Sequence, residues 1–368
     1  RYMDAKNQDQ WVGSKALDYW KDVDFYMGGS EHATGHLLYS RFWQKVLYDL
    51  GYSVHDEYAR KLVNQGMILG NSAFVYRKKG TQTFLSKGLI EGEKVESIHV
   101  DVALVNLQDE LDVEAVKNWQ KDFKQAEFVL EDGKYIVGRE VEKMSKSKYN
   151  VINPDEICDT YGADTFRMYE MFLGPIEQDK PWNTSGILGV HNFLKKFWRL
   201  FYQQDQWKVT LADPDAESLK TLHQTIKKIT YDVERLSFNT CVSTFMICIN
   251  ELTALKCSSK KVLEPLLILL SPFAPHFCEE LWQQLGHNKS IEFEPFPIFD
   301  PSKITEKTKE YPVSFNGKMR FILKLSLDLS IEEIKELVLQ EQRTQDQING
   351  AIPKKIIVVP NKIINIVV

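Results

Sequence analysis

The stretch 141–150 reads VEKMSKSKYN, with Lys143, Lys146 and Lys148 two or three residues apart and Ser145 and Ser147 between them. Ammonium groups on flexible stems, interleaved with hydroxyls, suit a polyanion whose charge rearranges during a reaction. The run follows neither the helix nor the strand period, so it reads as a mobile loop. A solvated basic loop would have the same composition. A second set of reactive side chains comes earlier, at Glu31, His32 and His36. The two imidazoles are four apart and share a face if the segment is helical. They could be two ligands of a metal whose third ligand lies elsewhere, although the chain has no HExxH. They could instead donate to phosphate or substrate oxygens while Glu31 accepts ribose hydroxyls. They could also be hydrogen-bonded histidines at a helix start.

Elements are needed to position these groups. Residues 22–27 read as a strand broken by Gly28-Gly29-Ser30, and 33–50 as a helix with Leu38, Phe42, Val46 and Leu50 on one face. Strand, glycine turn and helix form the unit in which backbone comes close to a nucleotide. Residues 58–65 read as a short helix, and a strand starts within Gln65-Gly66-Met67-Ile68-Leu69. Between 71 and 140, strands are expected at 73–77 and 98–104, a helix at 113–124, and a hairpin turn at Gly133-Lys134-Tyr135. After the lysine run, Asn153 caps a helix that Pro154 opens and Gly162 ends. Asp164, three residues before Arg167, caps or braces the next one. Thr184 and Ser185 are fit to cap the first of four amphipathic stripes. These run through Ile187, Val190, Leu194, Phe197 and Phe201; Leu219, Leu222, Ile226, Ile229, Val233 and Leu236; Phe238, Val242, Phe245, Ile249 and Leu252; and Leu266, Leu269, Phe273, Phe277, Leu281 and Leu285. The stripes make an up-and-down bundle core, with Pro272 and Pro275 kinking the fourth helix. Lys195, Lys196 and Arg199, and Lys227-Lys228, are basic clusters on the polar faces. An extended linker at 294–297 leads to a hairpin through Asn316-Gly317, a helix at 331–342 with a Ser330/Glu333 capping box, and two strands around Pro360-Asn361-Lys362.

Composition bounds the answer. With 368 residues, 43% of them hydrophobic and 12% aromatic, the chain has material for two or three domains with substantial cores. No apolar run approaches the roughly 20 residues of a membrane span, and the opening residues do not read as a signal peptide. Five scattered cysteines without a CxxC pair read as buried thiols in a reducing cytosol. A net charge of −5 excludes general nucleic-acid stickiness, so any RNA contact must use local basic patches. The chain opens at Arg1 without an initiator Met, and is read as a piece of something longer or a processed product.

Lys143-Met144-Ser145-Lys146-Ser147 matches the signature loop of class I aminoacyl-tRNA synthetases. A given pentapeptide arises by chance in a chain this long on the order of once in ten thousand. Gly28-Gly29-Ser30-Glu31-His32-Ala33 and the following His36-Leu37-Leu38-Tyr39-Ser40-Arg41-Phe42 resemble the second half of the catalytic domain of bacterial leucyl-tRNA synthetases. The resemblance implies an ATP site made of Gly28, Gly29, Glu31, His36, Gln65, Met67, Ile68, Met144, Ser145, Lys146 and Ser147, with His32 at the amino-acid pocket. Lys143 and Lys146 would stabilise the reacting phosphates. It also implies tRNA contacts at Lys195, Lys196, Arg199, Lys354, Lys355 and Lys362, ATP with Mg2+ as the substrate complex, and no protein-bound metal. His32-Ala33-Thr34-Gly35-His36 is one residue too long for the HIGH-type motif and follows the wrong strand. The chain would therefore begin after that motif and after the editing insertion.

The implied fold is α/β plus all-α: the C-terminal half of a Rossmann-like class I catalytic domain (1–70), a leucine-specific-type insertion (71–140) and the signature loop with a stem-contact region (141–175). An anticodon-binding helix bundle (176–288), a linker (289–310) and a small α+β C-terminal domain touching the tRNA elbow (311–368) would follow, ending at the natural C-terminus. The implied partners are tRNA(Leu), leucine, ATP and the missing N-terminal half, in a monomeric cytoplasmic enzyme without membrane contact. The alternatives are a stand-alone tRNA-binding or assembly module, a valyl or isoleucyl relative, and a zinc hydrolase built on His32 and His36.

Overall fold

Backbone pairing starts the first sheet later than the hydrophobic pattern places it. The computed structural model describes residues 2–304, 308–327, 329–360 and 362–368. Helix α1 (Ser14–Trp20) precedes strand β1 (Tyr26–Gly29), which runs parallel to β2 (Leu62–Gln65) with Gly28 opposite Asn64 and Gly29 opposite Gln65. The strand expected at 22–27 is displaced, so the two glycines lie inside a strand and not in a turn. Val23 keeps only an isolated bridge to Ala59. Strand β2 stands where a helix was expected at 58–65. Ala59, Arg60, Lys61 and Leu62 favour helix locally, but pairing with β1 overrides that weak preference.

A 3-10 turn (Ser30–His32) and a π turn (Ala33–Leu37) lead into α2 (Leu38–Asp49). The apolar stripe of α2 sits where its spacing puts it but is not covered: Leu38, Phe42 and Leu50 are 61, 58 and 65% exposed. Among the described residues none before Val63 is buried.

The second sheet is built on the long strand β3 (Ile68–Lys78). Strands β4 (Thr83–Leu85) and β5 (Val95–Val100) pair antiparallel with its far end, and β6 (Glu127–Val129) joins β4 in parallel. β7 (Gly138–Lys143) lies antiparallel to its first half and β8 (Lys180–Pro181) parallel to its start. The strand expected at 98–104 ends at Val100 and gives way to a 3-10 turn, Val102–Leu104. The helix expected at 113–124 is a short α3 (Val113–Trp119) followed by a second such turn, Lys121–Phe123. Ala73, Val75, Phe84, Val116, Phe123, Tyr135 and Val137 form the core. The expected hairpin turn is present one residue early, with Asp132 and Gly133 both at positive φ (49° and 80°).

α4 (Pro154–Tyr161) starts as expected, the Asp155 amide donating to the Asn153 carboxamide at 3.1 Å. α5 (Ala163–Phe172) follows Gly162. The first bundle helix, α6 (Ile187–Phe201), buries Ile187, Val190, Leu194, Phe197 and Phe201. Its entry is capped by Asn183, not by Thr184 or Ser185, because the Asn183 carboxamide accepts from the Ser185 amide at 3.0 Å. A two-residue ladder, β9 (Tyr202–Gln203) with β10 (Gln206–Trp207), leads to α7 (Ala216–Glu234) and α8 (Phe238–Ala254). The expected fourth helix is two, α9 (Lys260–Leu270) and α10 (Pro275–Gln284): Pro275 opens a new helix after the break, where a kink was expected. The Phe197–Phe277 and Phe245–Phe273 rings each lie 5.5 Å apart in this core. Cys241, Cys248, Cys257 and Cys278 are buried free thiols and Cys158 is half-buried. Burial pushes the Cys241 and Cys248 thiols up to about 12.

The chain forms two compact units, one of residues up to Pro214 with Thr225–Pro297, the other of Asp215–Gln224 with Ile298–Val368; the division falls inside α7. In the second unit β11 (Thr308–Phe315) and β12 (Lys318–Ser326) make the expected hairpin, with Asn316 and Gly317 at φ 48° and 80°. α11 (Ile331–Gln340) carries the complete Ser330/Glu333 capping box and is followed by α12 (Gln342–Ile348). β13 (Lys355–Val359) and β14 (Ile363–Val367) complete a sheet in the order β12-β11-β14-β13, with β11 and β14 parallel. Asn361, in the expected turn between the last two strands, lies outside the described residues. Val313, Leu325, Ile334, Val338, Ile364 and Ile366 fill the core of this unit.

Candidate functional site

Strand β7 extends to Lys143, which sits opposite Leu69 of β3, so the start of the lysine stretch belongs to the sheet. Ser145 is extended, Lys146–Lys148 form one 3-10 turn, and Tyr149 takes the left-handed conformation (φ 53°). The segment expected as a mobile loop is tied at both ends to the sheet in this structure. Asn150, 1% exposed, accepts from the Ser145 amide at 2.9 Å and donates to the Ser72 hydroxyl at 2.9 Å and the Lys143 carbonyl at 3.3 Å. Gly70 makes room for this return of the chain, since a Cβ there would lie 2.6 Å from the Asn150 carbonyl oxygen. The Ser145 and Ser147 hydroxyls share a hydrogen bond at 3.1 Å.

Beside the turn, the Glu142 carboxylate meets the Lys148 ammonium at 2.6 Å and the His99 ring at 2.9 Å. Lys148 first, then Ser72 and His99, hold the carboxyl at about 2. Lys143 and Lys146 are exposed, and among the described residues neither is paired with a carboxylate. The 71–140 segment grips the far end of the turn. The Val102 amide donates to the Tyr149 carbonyl at 3.0 Å, Gln120 donates to its hydroxyl at 3.1 Å, and Trp119 packs edge-on at 4.7 Å.

The glycine strand gathers the earlier set. A Cβ on Gly29 would fall 1.9 Å from the Glu31 carboxylate, so with glycine there Glu31 folds back over the strand end, and a larger residue would push that carboxylate aside. His32 Nε2 lies 3.7 Å from Glu31, the His32 and His36 rings are 6.2 Å apart, and Tyr26 Oη shares a hydrogen bond with His36 Nε2. Tyr26 is a member of the cluster that the sequence reading missed; its only signal is its place three residues before Gly29 on the same short strand. Because β1 and β2 are parallel, Gly28, Gly29, Glu31, His32, His36 and Gln65 all gather at their carboxyl ends, where open parallel sheets bind ligands.

Register links this cluster to the lysine turn. Gly29 pairs with Gln65, and Leu69, four residues on, pairs with Lys143. Four extended residues and two strand spacings place the Gly29 and Lys143 backbones within about 24 Å of each other. Met67 lies on this bridge with both main-chain groups in use: its amide donates to Asp179 at 2.6 Å and its carbonyl accepts from the Lys180 amide at 2.9 Å. Ile68 pairs with Lys180, and a Cβ on Gly66 would strike the Gln178 backbone at 2.1 Å. Asp179 was not anticipated, since its contact spans 112 residues. Among the described residues no group of three or more His, Cys, Asp or Glu could hold a metal ion, so the two-histidine metal reading lacks its third ligand there.

The basic clusters lie elsewhere. On α6, Lys196 donates to Asn250 at 2.5 Å, Arg199 is exposed, and Lys195 lines an open cleft of about 500 Å³ with Tyr161, His191, Trp198 and His276. Asp164 forms part of the same cleft and does not pair with Arg167, which donates to the Pro272 carbonyl. It caps α10 instead, accepting from the Phe277 amide at 2.6 Å and from His276 Nδ1 at 2.9 Å. Lys228 is tied to buried Asp232 at 2.6 Å. Lys354, Lys355 and Lys362 are exposed in the second unit, with Lys355 on the edge strand β13. Among the described residues no helix is long and apolar enough to cross a membrane.

Residues 123–183 match the family of class I tRNA synthetases for isoleucine, leucine, methionine and valine, and residues 215–336 match the anticodon-binding domain of tRNA ligases. The whole chain is 61% identical to a leucine–tRNA ligase of Christiangramia forsetii, 59% to one of Flavobacterium johnsoniae and 55% to one of Bacteroides thetaiotaomicron. It covers 38–39% of the length of these three relatives. A crystal structure of an Agrobacterium radiobacter LeuRS–tRNA–LeuAMS ternary complex superposes on 97% of the chain, and on 39% of its own, with TM-score 0.56 and 28% identity. The fold is therefore a portion of a class I synthetase catalytic domain joined to an anticodon-binding helical domain, and the chain corresponds along its whole length to a segment of the leucine–tRNA ligases.

Proposed function

We propose that the chain is the part of a leucine–tRNA ligase that carries the second half of the ATP site and the tRNA-binding domains. Leucine's carboxylate attacks the α-phosphorus of magnesium–ATP, and pyrophosphate leaves. A terminal ribose hydroxyl of tRNA(Leu) then attacks the leucyl carbonyl and AMP leaves. Gly28 and Gly29 allow the nucleotide to approach the strand end, Glu31 and Gln65 accept or donate at the ribose, His36 lies beside the adenylate, and His32 borders the leucine pocket. The backbone at Met67 and Ile68 lies against the adenine edge, and Met144, Ser145 and Ser147 carry the loop. Lys143 and Lys146 stabilise charge developing on the phosphates. Lys195, Lys196, Arg199, Lys354, Lys355 and Lys362 contact tRNA phosphates, which position RNA without reading its bases.

The observation that carries this reading is the register path from Gly29 through Gln65 and Leu69 to Lys143, which ties the glycine strand to the lysine turn. The proposed domains are 1–70 for the catalytic half, 71–140 for the insertion, 141–175 for the loop and stem-contact region, 176–288 for the anticodon bundle and 289–310 for the linker, with 311–368 at the tRNA elbow. The whole enzyme would be monomeric and cytoplasmic. One methylene discriminates poorly, by about 1–3 kcal/mol, so proofreading would fall to another part of the longer protein. The test is amino-acid-dependent ATP–pyrophosphate exchange. The longer protein should exchange with leucine far better than with valine or isoleucine, and the 368-residue chain alone should not exchange. Exchange driven by valine or isoleucine, or leucine-dependent exchange by the chain alone, would overturn the reading.

A further inference from the structure

We propose that Glu142 is a positioning residue: it ties up Lys148 and, with Asn150, latches the lysine turn so that Lys143 and Lys146 are left free for a polyanion. The catalytic meaning rests on the synthetase reading above, whereas the latch is a property of the chain itself.

Three lysines within six residues repel one another and compete for the same oxygens unless something sorts them. Strand alternation puts Glu142 and Lys143 on opposite faces of β7, so the carboxylate cannot serve Lys143 without breaking the ladder. The turn then brings Lys148 back to Glu142 at 2.6 Å, with both side chains more than half buried. A carboxyl held at about 2 is ionised across the neutral range, so the acceptor is permanent. His99, from β5, sits on the same carboxylate at 2.9 Å and fixes its rotamer from the other side. Asn150 closes the ring by bonding to both Lys143 and Ser145, and the left-handed Tyr149, a conformation bulky residues seldom adopt, is held by Trp119, Gln120 and Val102. The result is a division of labour. Lys148 is structural, and the exposed pair Lys143 and Lys146 has no carboxylate partner among the described residues.

Limited trypsin cleavage of the bond after Lys146, read by mass spectrometry, tests the latch on the 368-residue chain. Glu142→Gln should speed that cleavage about fivefold, because proteolysis follows the population of the opened turn, while the global unfolding midpoint stays unchanged. Lys148→Met should do the same, and the double variant should add little to either single change, as expected for two ends of one interaction. Unchanged cleavage in Glu142→Gln, or single effects that simply sum, would overturn the proposal. In the longer protein Glu142→Gln should raise KM for ATP more than it lowers kcat, and Glu142→Asp should restore part of the loss. A change in kcat alone would contradict the positioning role. No exchange at all in the unsubstituted longer protein would instead refute the synthetase reading, and the cleavage rates would still decide the latch.

Discussion

Lys146 and Lys148 differ by two positions in the sequence and by everything in their surroundings: one is exposed without a carboxylate partner among the described residues, the other is salt-bridged to Glu142. At this scale the lysine turn was visible in the sequence as chemistry, but its sorting was not, since Glu142 and His99 are 43 residues apart and meet only through strand pairing. Replacing Lys146 by Ala in the longer protein should lower leucine-dependent exchange about 10²–10³-fold, the usual effect of removing one group that stabilises transition-state charge. The same loss from Lys148→Ala with no change in trypsin cleavage would argue against the division of roles. The Glu142 carboxyl is depressed from 4.5 to about 2, so its contribution is complete above 4.5 and is lost as the pH falls through about 2. Its carboxyl carbon, followed by NMR, should titrate near 2; a midpoint near 4.5 would mean that Lys148 is unpaired in solution.

Individual elements show where sequence periodicity is a sufficient guide. α6, α7 and α8 were legible because their apolar residues repeat over several turns and end up buried, as Phe197, Ile229 and Phe245 do. β2 was not, because the helix-favouring residues Ala59, Arg60 and Lys61 lie just before it and four strand residues are too few to show a period of their own. The break between α9 and α10 was half legible: the prolines marked the place, but the cap that makes α10 a separate helix comes from Asp164, 113 residues before Phe277. Asp164→Ala should therefore destabilise the first unit by about 2 kcal/mol, the upper range for a lost N-cap, as measured by denaturant unfolding. Asp164→Asn, which keeps an acceptor, should cost less. Equal stability of Asp164→Ala and the unsubstituted chain would show that α10 does not need this cap.

Across the whole molecule, the contrast is between a well-buried bundle and an uncovered beginning. Trp11, Tyr19, Trp20, Leu38, Phe42, Trp43 and Leu50 are between 49 and 76% exposed, and they cluster in the first fifty residues. Monomeric surfaces rarely leave so many large apolar side chains together without a partner. The chain spans 38–39% of the length of the leucine–tRNA ligases reported above, and another part of the longer protein is the proposed cover for these side chains. Backbone amides of β1 and β2 in the isolated chain should exchange with deuterium much faster than those of α8, and should become protected in the longer protein. Equal protection in both would mean that the first residues need no partner. The periodicity of α2 was legible and its exposure was not, because a stripe says which face is apolar and not what covers it.

The proposed function requires one triphosphate to be held between the glycine strand and the lysine turn. Acetylation footprinting of the longer protein, with each lysine quantified by mass spectrometry, tests that most directly. Adding magnesium–ATP and leucine should protect Lys143 and Lys146 while leaving Lys148, Lys195 and Lys354 as reactive as before, and the Gly29→Ala variant should lose the protection. Lys143 and Lys146 that stay equally reactive with and without saturating ATP and leucine would contradict the shared site.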